Sequence, residues 1–291
     1  MSSADWTAWQ TLPRAKPLNP AVLAETLDGG QAFRWRREAD GAWFGVWGEH
    51  VVRLRLEPNG ELAWSAPRPE TGAALVRYLG ADAEGVPTDA LPWRSDAHLA
   101  RCLAEFPGLK ILRQPFGETL LGFLCSATKQ IVQIKQMIAL LAERHGAPMG
   151  GGVNRLPTWA ELAAVPESEL RACLLGFRAR YIHQTAQVIA AQPGWLEETE
   201  ALPYAEAKAR LCELPGVGEK VADCVLLFGA GRMEAFPVDV WIIKTMERRY
   251  GLHGWKPAQI AHFGRTHFGP LAGLAQQYLF AWERAAARGA V

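Results

Sequence analysis

Lys220 and Asp239, nineteen residues apart, bracket the stretch of this chain best equipped for chemistry, LCELPGVGEKVADCVLLFGAGRMEAFPVDVW from Leu211 to Trp241. An amine attacks an electrophilic carbon only in its neutral form, which burial and the positive end of a helix dipole both favour. A carboxylate close by can stabilise developing positive charge and assist proton transfers. The elements that must position these groups are legible. Tyr204, Ala207, Leu211 and Leu214 keep a helical apolar spacing until Pro215-Gly216-Val217-Gly218 breaks it. Val221, Cys224, Val225 and Phe228 begin a second helix, which Gly229 and Gly231 end. A tight hairpin between two helices leaves free N–H groups at the mouth of the second, where a phosphate oxygen is favoured. Lys220 falls in the first turn of that helix. Asp239 stands just before Val240-Trp241-Ile242-Ile243, where it doubles as an N-cap.

LPGVGEKVADC followed by PVDV resembles the helix-hairpin-helix and Gly/Pro-Asp signature of base-excision DNA glycosylases, in the form carried by the 8-oxoguanine DNA glycosylase branch. GGQAFRW (Gly29 to Trp35) is similar to the N-terminal domain of that branch, and ILRQPFGETLLGFLCSATKQ to the first helix of its catalytic domain. With LGFRARY and GPLAGLAQQYLF in the same order, the likeness covers nearly the whole chain from about residue 20.

The totals fit a repair enzyme but do not announce one. At 291 residues and 49% hydrophobic, the chain can bury one large core or two. A net charge of +1 excludes bulk attraction to a polyanion, so DNA must be held by a local patch and backbone amides. Five cysteines without a C-x-x-C pair argue against a disulfide framework and for a reducing cytoplasm; the resemblance adds the expectation of a nucleoid-associated monomer. No cysteine follows Cys224, so no cofactor is expected and the iron–sulfur loop of some related glycosylases has no ligands. The polar N-terminus carries no signal pattern, and no apolar run is long enough to span a membrane.

Residues from about 29 to 65 read as an antiparallel meander. Phe33 and Trp35 alternate with arginines, turns stand at Asp40-Gly41 and Pro58-Asn59-Gly60, and Val52, Leu54 and Leu56 alternate with Arg53 and Arg55. From about 115 onward the chain reads as helical: Ile131, Ile134, Ile138 and Leu141 form one stripe up to His145-Gly146, and Thr158 with Glu161 makes a capping box. The fold class is therefore α+β, with an N-terminal antiparallel β domain (1–114, TBP-like by resemblance) before an all-helical catalytic domain (115–291).

The resemblance implies a bifunctional glycosylase and AP lyase acting on duplex DNA that contains an oxidised purine. Lys220 would be the nucleophile, forming a Schiff base with the sugar, and Asp239 its carboxylate partner. The Gly30 carbonyl would accept the N7–H that 8-oxoguanine has and guanine lacks. Cys224 and Phe280 would sandwich the flipped base, and Gln276 would bond its Watson–Crick edge. Gly216, Val217 and Gly218 would meet a phosphate, and the carbonyls of Cys212, Leu214 and Val217 could ligate a structural cation; no metal site made of side chains is expected. Phe177 would fill the gap in the duplex and Arg178 would read the orphaned base. Each residue has a plainer role open to it: a solvated lysine, an N-cap, core Cys and Phe, a turn glycine.

The chain also departs from the family. Thr128-Lys129-Gln130 replace an asparagine run that contacts DNA, Gln133 replaces a second arginine for the partner base, and Trp241 replaces a phosphate-binding histidine. The departures imply a relaxed opposite-base preference. An alkylated-purine glycosylase of the same fold, which lacks the lysine, and a non-catalytic hairpin DNA-binding module are the alternative readings.

Overall fold

The structure, a computed structural model, describes residues 6–12, 18–81, 88–150 and 152–289. The alternating segments pair as expected: β2 (Trp35–Arg37), β3 (Trp43–Trp47), β4 (His50–Leu56) and β5 (Leu62–Ser65) form an antiparallel meander. A two-residue strand, β1 (Gln10–Thr11), adds to the β5 edge, giving the order β1-β5-β4-β3-β2. The register sets Gly45 beside both Trp35 and Val52. A Cβ at Gly45 would lie 2.5 Å from the Trp35 ring, so the indole lies flat over bare backbone. Trp35 stacks on Trp47 with centroids 6.1 Å apart and donates its Nε1–H to the Tyr78 hydroxyl at 3.0 Å. Tyr78 comes from α2 (Thr71–Tyr78), which covers this face of the sheet.

The opposite face keeps its own small cluster, Phe44, Val46 and Val51, packed by Trp6, Met149 and Val153. Two of its arginines still find partners. Arg36 sits 3.7 Å above the Phe44 centroid, and Arg53 pairs with Glu38 at 2.7 Å.

Residues 29–34, expected as strand, are a loop. Gln31 is fully buried; it donates to the Lys110 carbonyl at 2.8 Å and accepts the Leu112 N–H at 3.0 Å, while its own carbonyl accepts from Gln114 at 2.7 Å. Those bonds tie the segment to residues 110–114 instead of to a neighbouring strand. Before the loop, α1 (Pro20–Asp28) starts on an Asn19 side chain that caps Val22 N–H at 2.8 Å, with Pro20 in the first turn.

The helical half follows: α3 (Ala97–Glu105), α4 (Phe116–Ser126), α5 (Ile131–His145), α6 (Trp159–Ala164), α7 (Glu167–Leu170), a π-helical turn (Arg171–Leu175), α8 (Arg178–Ala190), α9 (Trp195–Ala201), α10 (Tyr204–Cys212), α11 (Glu219–Phe228), α12 (Val240–Tyr250), α13 (Pro257–Phe268) and α14 (Ala272–Ala287). The expected capping box is present, with Glu161 N–H on Thr158 Oγ1 at 3.2 Å and Thr158 N–H on Glu161 Oε2 at 2.7 Å. One feature of this half is not helical, an antiparallel bridge between Pro148 and Asn154.

A single hydrophobic core runs from Leu12 through both halves to Ala281. Phe33 is one of its joints, packing edge-on against Phe123 of α4 at 5.4 Å. Among the described residues no helix is long and apolar enough to cross a membrane.

Gly45→Ala tests the close packing of the sheet. The methyl group must displace Trp35, and overpacking of this kind costs about 1–3 kcal/mol. We expect a lower urea midpoint at unchanged slope; an unchanged midpoint would show that the indole moves aside freely.

Candidate active site

Burial on every side makes α11 the fixed point of the site. All residues from Val221 to Phe228 are buried, including Asp223, so its first turn is where the helix reaches solvent. The Asp223 carboxylate accepts the Tyr204 hydroxyl at 2.6 Å and the Lys208 amine at 3.0 Å, which keeps a buried charge paired.

The hairpin before α11 is braced by α8. Gly216 has φ +81°, and a Cβ there would lie 2.7 Å from Cβ of Tyr181, so glycine is required twice over. Thr185 donates to the Pro215 carbonyl at 3.0 Å. Val217 is buried and spends its N–H on the Leu214 carbonyl at 3.1 Å. Gly218 caps α11 without a side chain, and a Cβ there would meet nothing within 4 Å. Among the described residues the amides of Gly216 and Gly218 donate to no protein acceptor, which leaves them for an anion.

Lys220 leaves the first turn of α11 toward α4. Its Nζ donates to Ser126 Oγ at 3.3 Å and stands 5.1 Å from the Phe123 ring centroid. Ser126, at the end of α4, in turn donates to the Phe123 carbonyl at 2.7 Å. No spacing or pattern marks this serine in the sequence; its one signal is its place in the CSATKQ stretch. Cys224 lies one turn after Lys220. Burial pushes its thiol up to about 12, against the pull of the Lys220 charge and hydrogen bond.

Asp239 is the N-cap of α12. Its Oδ1 accepts the N–H groups of Trp241 at 3.0 Å and Ile242 at 2.9 Å. Among the described residues Oδ2 takes no hydrogen bond. Burial raises the carboxyl above the ordinary aspartate value, opposed by the Ile242 amide, the Lys220 charge, the Trp241 amide and the Arg284 charge. The capping role and the electrostatic link to Lys220 thus coexist in one side chain.

Besides Cys224 on α11, the expected pocket residues come from the turn after α1 and from α14. Gly30, at φ +107°, would carry a Cβ only 3.1 Å from Ile131 Cδ1 and 3.7 Å from Phe280 Cε1, so the turn faces both side chains. Gln276 is buried, and its Oε1 has no partner among the described residues. An unsatisfied buried acceptor costs stability unless a ligand supplies the donor.

On the opposite-base side the outcome is mixed. Phe177 is 53% exposed, as a wedge should be. Arg178 is not: its guanidinium is buried, donating to the carbonyls of Ala127 and of Leu175 (3.2 Å) and to Thr128 Oγ1 (3.0 Å). Gln133 is spent on capping α5, accepting the Gln130 N–H at 3.2 Å. Thr128 is exposed at φ +55°, a strained conformation for a β-branched residue, and Lys129 is half-buried beside it. Leu174, which no sequence pattern marked, has φ +62° and is 52% exposed close to Phe177 in the chain. Trp241 takes its place in the first turn of α12 with Lys244 Nζ 5.3 Å from its ring. No cluster of three His, Cys, Asp or Glu side chains able to hold a metal occurs among the described residues.

Asp239→Asn separates charge from capping. A raised carboxyl value means that the folded protein holds the proton more tightly than the unfolded chain, so ionised Asp239 costs stability at neutral pH. Asparagine keeps the capping oxygen without the charge. The variant should melt no lower than the parent at pH 7, with any advantage disappearing below about pH 4. A large loss of melting temperature at pH 7 would show that the ionised carboxylate stabilises the fold, against the direction in which burial shifts it.

Residues 15–120 match the family described as 8-oxoguanine DNA glycosylase, N-terminal domain, and residues 121–266 match that of HhH-GPD superfamily base excision DNA repair proteins. The N-glycosylase/DNA lyase OGG1 of Arabidopsis thaliana is 32% identical over 90% of this chain and 77% of its own. The 8-oxoguanine glycosylase/lyase of Clostridium acetobutylicum superposes with TM-score 0.84 at 30% identity, covering 96% of this chain and 99% of that one. A complex of the same enzyme with double-stranded DNA containing cytosine opposite 8-oxoguanine gives TM-score 0.85 at 29% identity over 97% and 99%. A 3-methyladenine DNA glycosylase from Archaeoglobus fulgidus shares the fold, with TM-score 0.75 at 20% identity over 96% and 99%. The chain belongs to the HhH-GPD superfamily of base excision DNA repair proteins, and within it to the members that carry the 8-oxoguanine DNA glycosylase N-terminal domain.

Proposed function

We propose that this protein is a bifunctional 8-oxoguanine DNA glycosylase and AP lyase that works through Lys220. The observation that carries the reading is the convergence of two helix N-termini, one bearing the Lys220 amine and the other the Asp239 carboxylate, with the Lys220 charge acting on that carboxyl. The relatives named N-glycosylase/DNA lyase and 8-oxoguanine glycosylase/lyase support it.

Hairpin amides at Gly216 and Gly218 would hold a phosphate while the damaged nucleotide leaves the stack. The carbonyls of Cys212, Leu214 and Val217 face the same task if a cation is bound; such an ion would add positive charge at the phosphate. Within the pocket, the Gly30 carbonyl accepts the N7–H of the lesion, and the unpartnered Gln276 Oε1 accepts from its Watson–Crick edge. Guanine offers a lone pair in place of N7–H, so the same carbonyl repels it. Cys224 and Phe280 supply apolar walls.

The chemistry then balances as follows. Neutral Lys220 Nζ bonds to C1′ as the C1′–N9 bond breaks, and the electron pair leaves with the base, which gains a proton. Asp239 stabilises the positive charge that develops at C1′. Opening of the sugar ring and loss of the amine proton give an imine. Loss of a C2′ proton expels the 3′ phosphate, and water releases the lysine.

Lys220→Gln should abolish both 8-oxoguanine excision and borohydride trapping on lesion-containing duplex, with duplex binding retained. A trapped complex in that variant would assign the chemistry to another amine. Release of 3-methyladenine in preference to 8-oxoguanine by the parent protein would instead promote the alkylated-purine reading.

Opposite-base preference should be weak. Arg178 is engaged with three protein acceptor groups and Gln133 with a helix cap. One good contact to a base is worth about 1–3 kcal/mol, so the loss of one lowers preference for cytosine by about 5- to 100-fold. Single-turnover excision opposite each of the four bases measures this. A cytosine preference of several hundred-fold would show that Arg178 and its neighbours suffice.

A further inference from the structure

The two glycines that open the lesion pocket are held by a charge pair deep in the protein. Arg284, near the end of α14, donates through Nη1 to the Gly29 carbonyl and to Glu25 Oε1 at 2.8 Å. Both side chains are buried, with relative exposures of 8% and 11%. The same guanidinium lies 5.3 Å from the ring centroid of Phe280, one turn earlier on the helix. Phe280 faces Gly30, where an added Cβ would lie 3.7 Å from its ring. One cation therefore meets the helix before the turn, the turn itself and the aromatic wall.

Burial makes this pair a poor device for stability alone. Two charges removed from water gain little over well-packed apolar side chains of the same size. Burial raises the Glu25 carboxyl to about 7, against the pull of Arg284 and Arg288. What the pair does achieve is geometric. A Gly-Gly turn has the freest backbone of any dipeptide, and a wandering carbonyl cannot read a single proton. The Gly29–Gly30 peptide is planar, so fixing the Gly29 oxygen also fixes the Gly30 nitrogen, and only two torsions then aim the Gly30 carbonyl. Gly29 itself must be bare, because a Cβ there would lie 2.4 Å from Glu25 Oε1.

We propose that Arg284, seated on Glu25, is a positioning residue for lesion recognition: it holds the Gly29–Gly30 turn against Phe280 so that the Gly30 carbonyl meets the flipped base. The proposal rests on the 8-oxoguanine reading above. An abasic site carries no base to be read, so a loosened turn should impair base excision and spare Schiff-base formation on abasic DNA.

The test compares Arg284→Met, Arg284→Lys and Glu25→Gln with the parent, using two duplexes, one with 8-oxoguanine and one with a preformed abasic site. In Arg284→Met, single-turnover excision should fall by about 10- to 100-fold, the loss expected for a displaced buried hydrogen bond. Borohydride trapping on the abasic duplex should stay within about twofold. Arg284→Lys and Glu25→Gln, which each keep part of the contact set, should show smaller losses of excision with the same spared trapping. Parental excision rates in all three variants would overturn the proposal. So would parallel losses of excision and trapping in the two conservative variants, which would reduce Arg284 to a support of the fold. If Arg284→Met does not fold, those two variants decide. Failure of the parent protein to release 8-oxoguanine, with trapping on abasic DNA intact, would instead bring down the substrate reading and the latch with it.

Discussion

The burial of α11 from Val221 to Phe228 is the constraint on which the site depends. A helix packed on every side beyond its first turn cannot rotate or slide, so the direction in which that turn leaves the core is set by packing rather than by loops. Lys220 inherits that direction. The close approach of Tyr181 to Gly216 fixes the hairpin from the other side, and Ser126 gives the amine one polar neighbour at the end of α4. Among the described residues no carboxylate forms an ion pair with this amine, so packing and Ser126 set its place.

Buried carboxylates show how the fold divides labour. Asp223 is neutralised in structure by Lys208 and Tyr204, and nothing remains of it for chemistry. Glu25 is answered by Arg284, and the pair acts on backbone rather than on substrate. Asp239 has one oxygen spent on a helix cap, the other without a hydrogen bond among the described residues, and no side chain of opposite charge bonded to it there. The difference lies in the partners each carboxylate meets, since burial raises all three above their ordinary values.

Strain is concentrated where the duplex would be entered. Thr128 and Leu174 are the non-glycine residues with positive φ among the described positions, and they lie on the two loops that Arg178 and Phe177 border. Conformations of this kind cost roughly 1–3 kcal/mol and persist where surrounding structure enforces them. At Thr128 the enforcement is visible, because Arg178 binds its hydroxyl and the adjoining Ala127 carbonyl. An arginine so occupied must exchange protein acceptors for a base before it can read one.

Local rules made much of this protein legible in its sequence. The hairpin, the lysine in the first turn after it, the Asp239 cap, the Thr158–Glu161 box and the alternating strands each depend on neighbours a few residues away, and each lies where spacing places it. Positions decided by distant partners were not legible. Residues 29–34 alternate like a strand, yet Gln31 binds backbone some eighty residues ahead and pulls the segment into a loop. Ser126 gains its importance from a lysine ninety-four residues away, and Arg284 from a glutamate two hundred and fifty-nine residues before it. Arg178 is expected by resemblance to meet the orphaned base, but tertiary packing surrounds it with carbonyls. Sequence therefore determined which groups the site contains and the family pattern they follow. Tertiary structure decided how each group is aimed, because aim comes from contacts between segments that the linear order does not bring together.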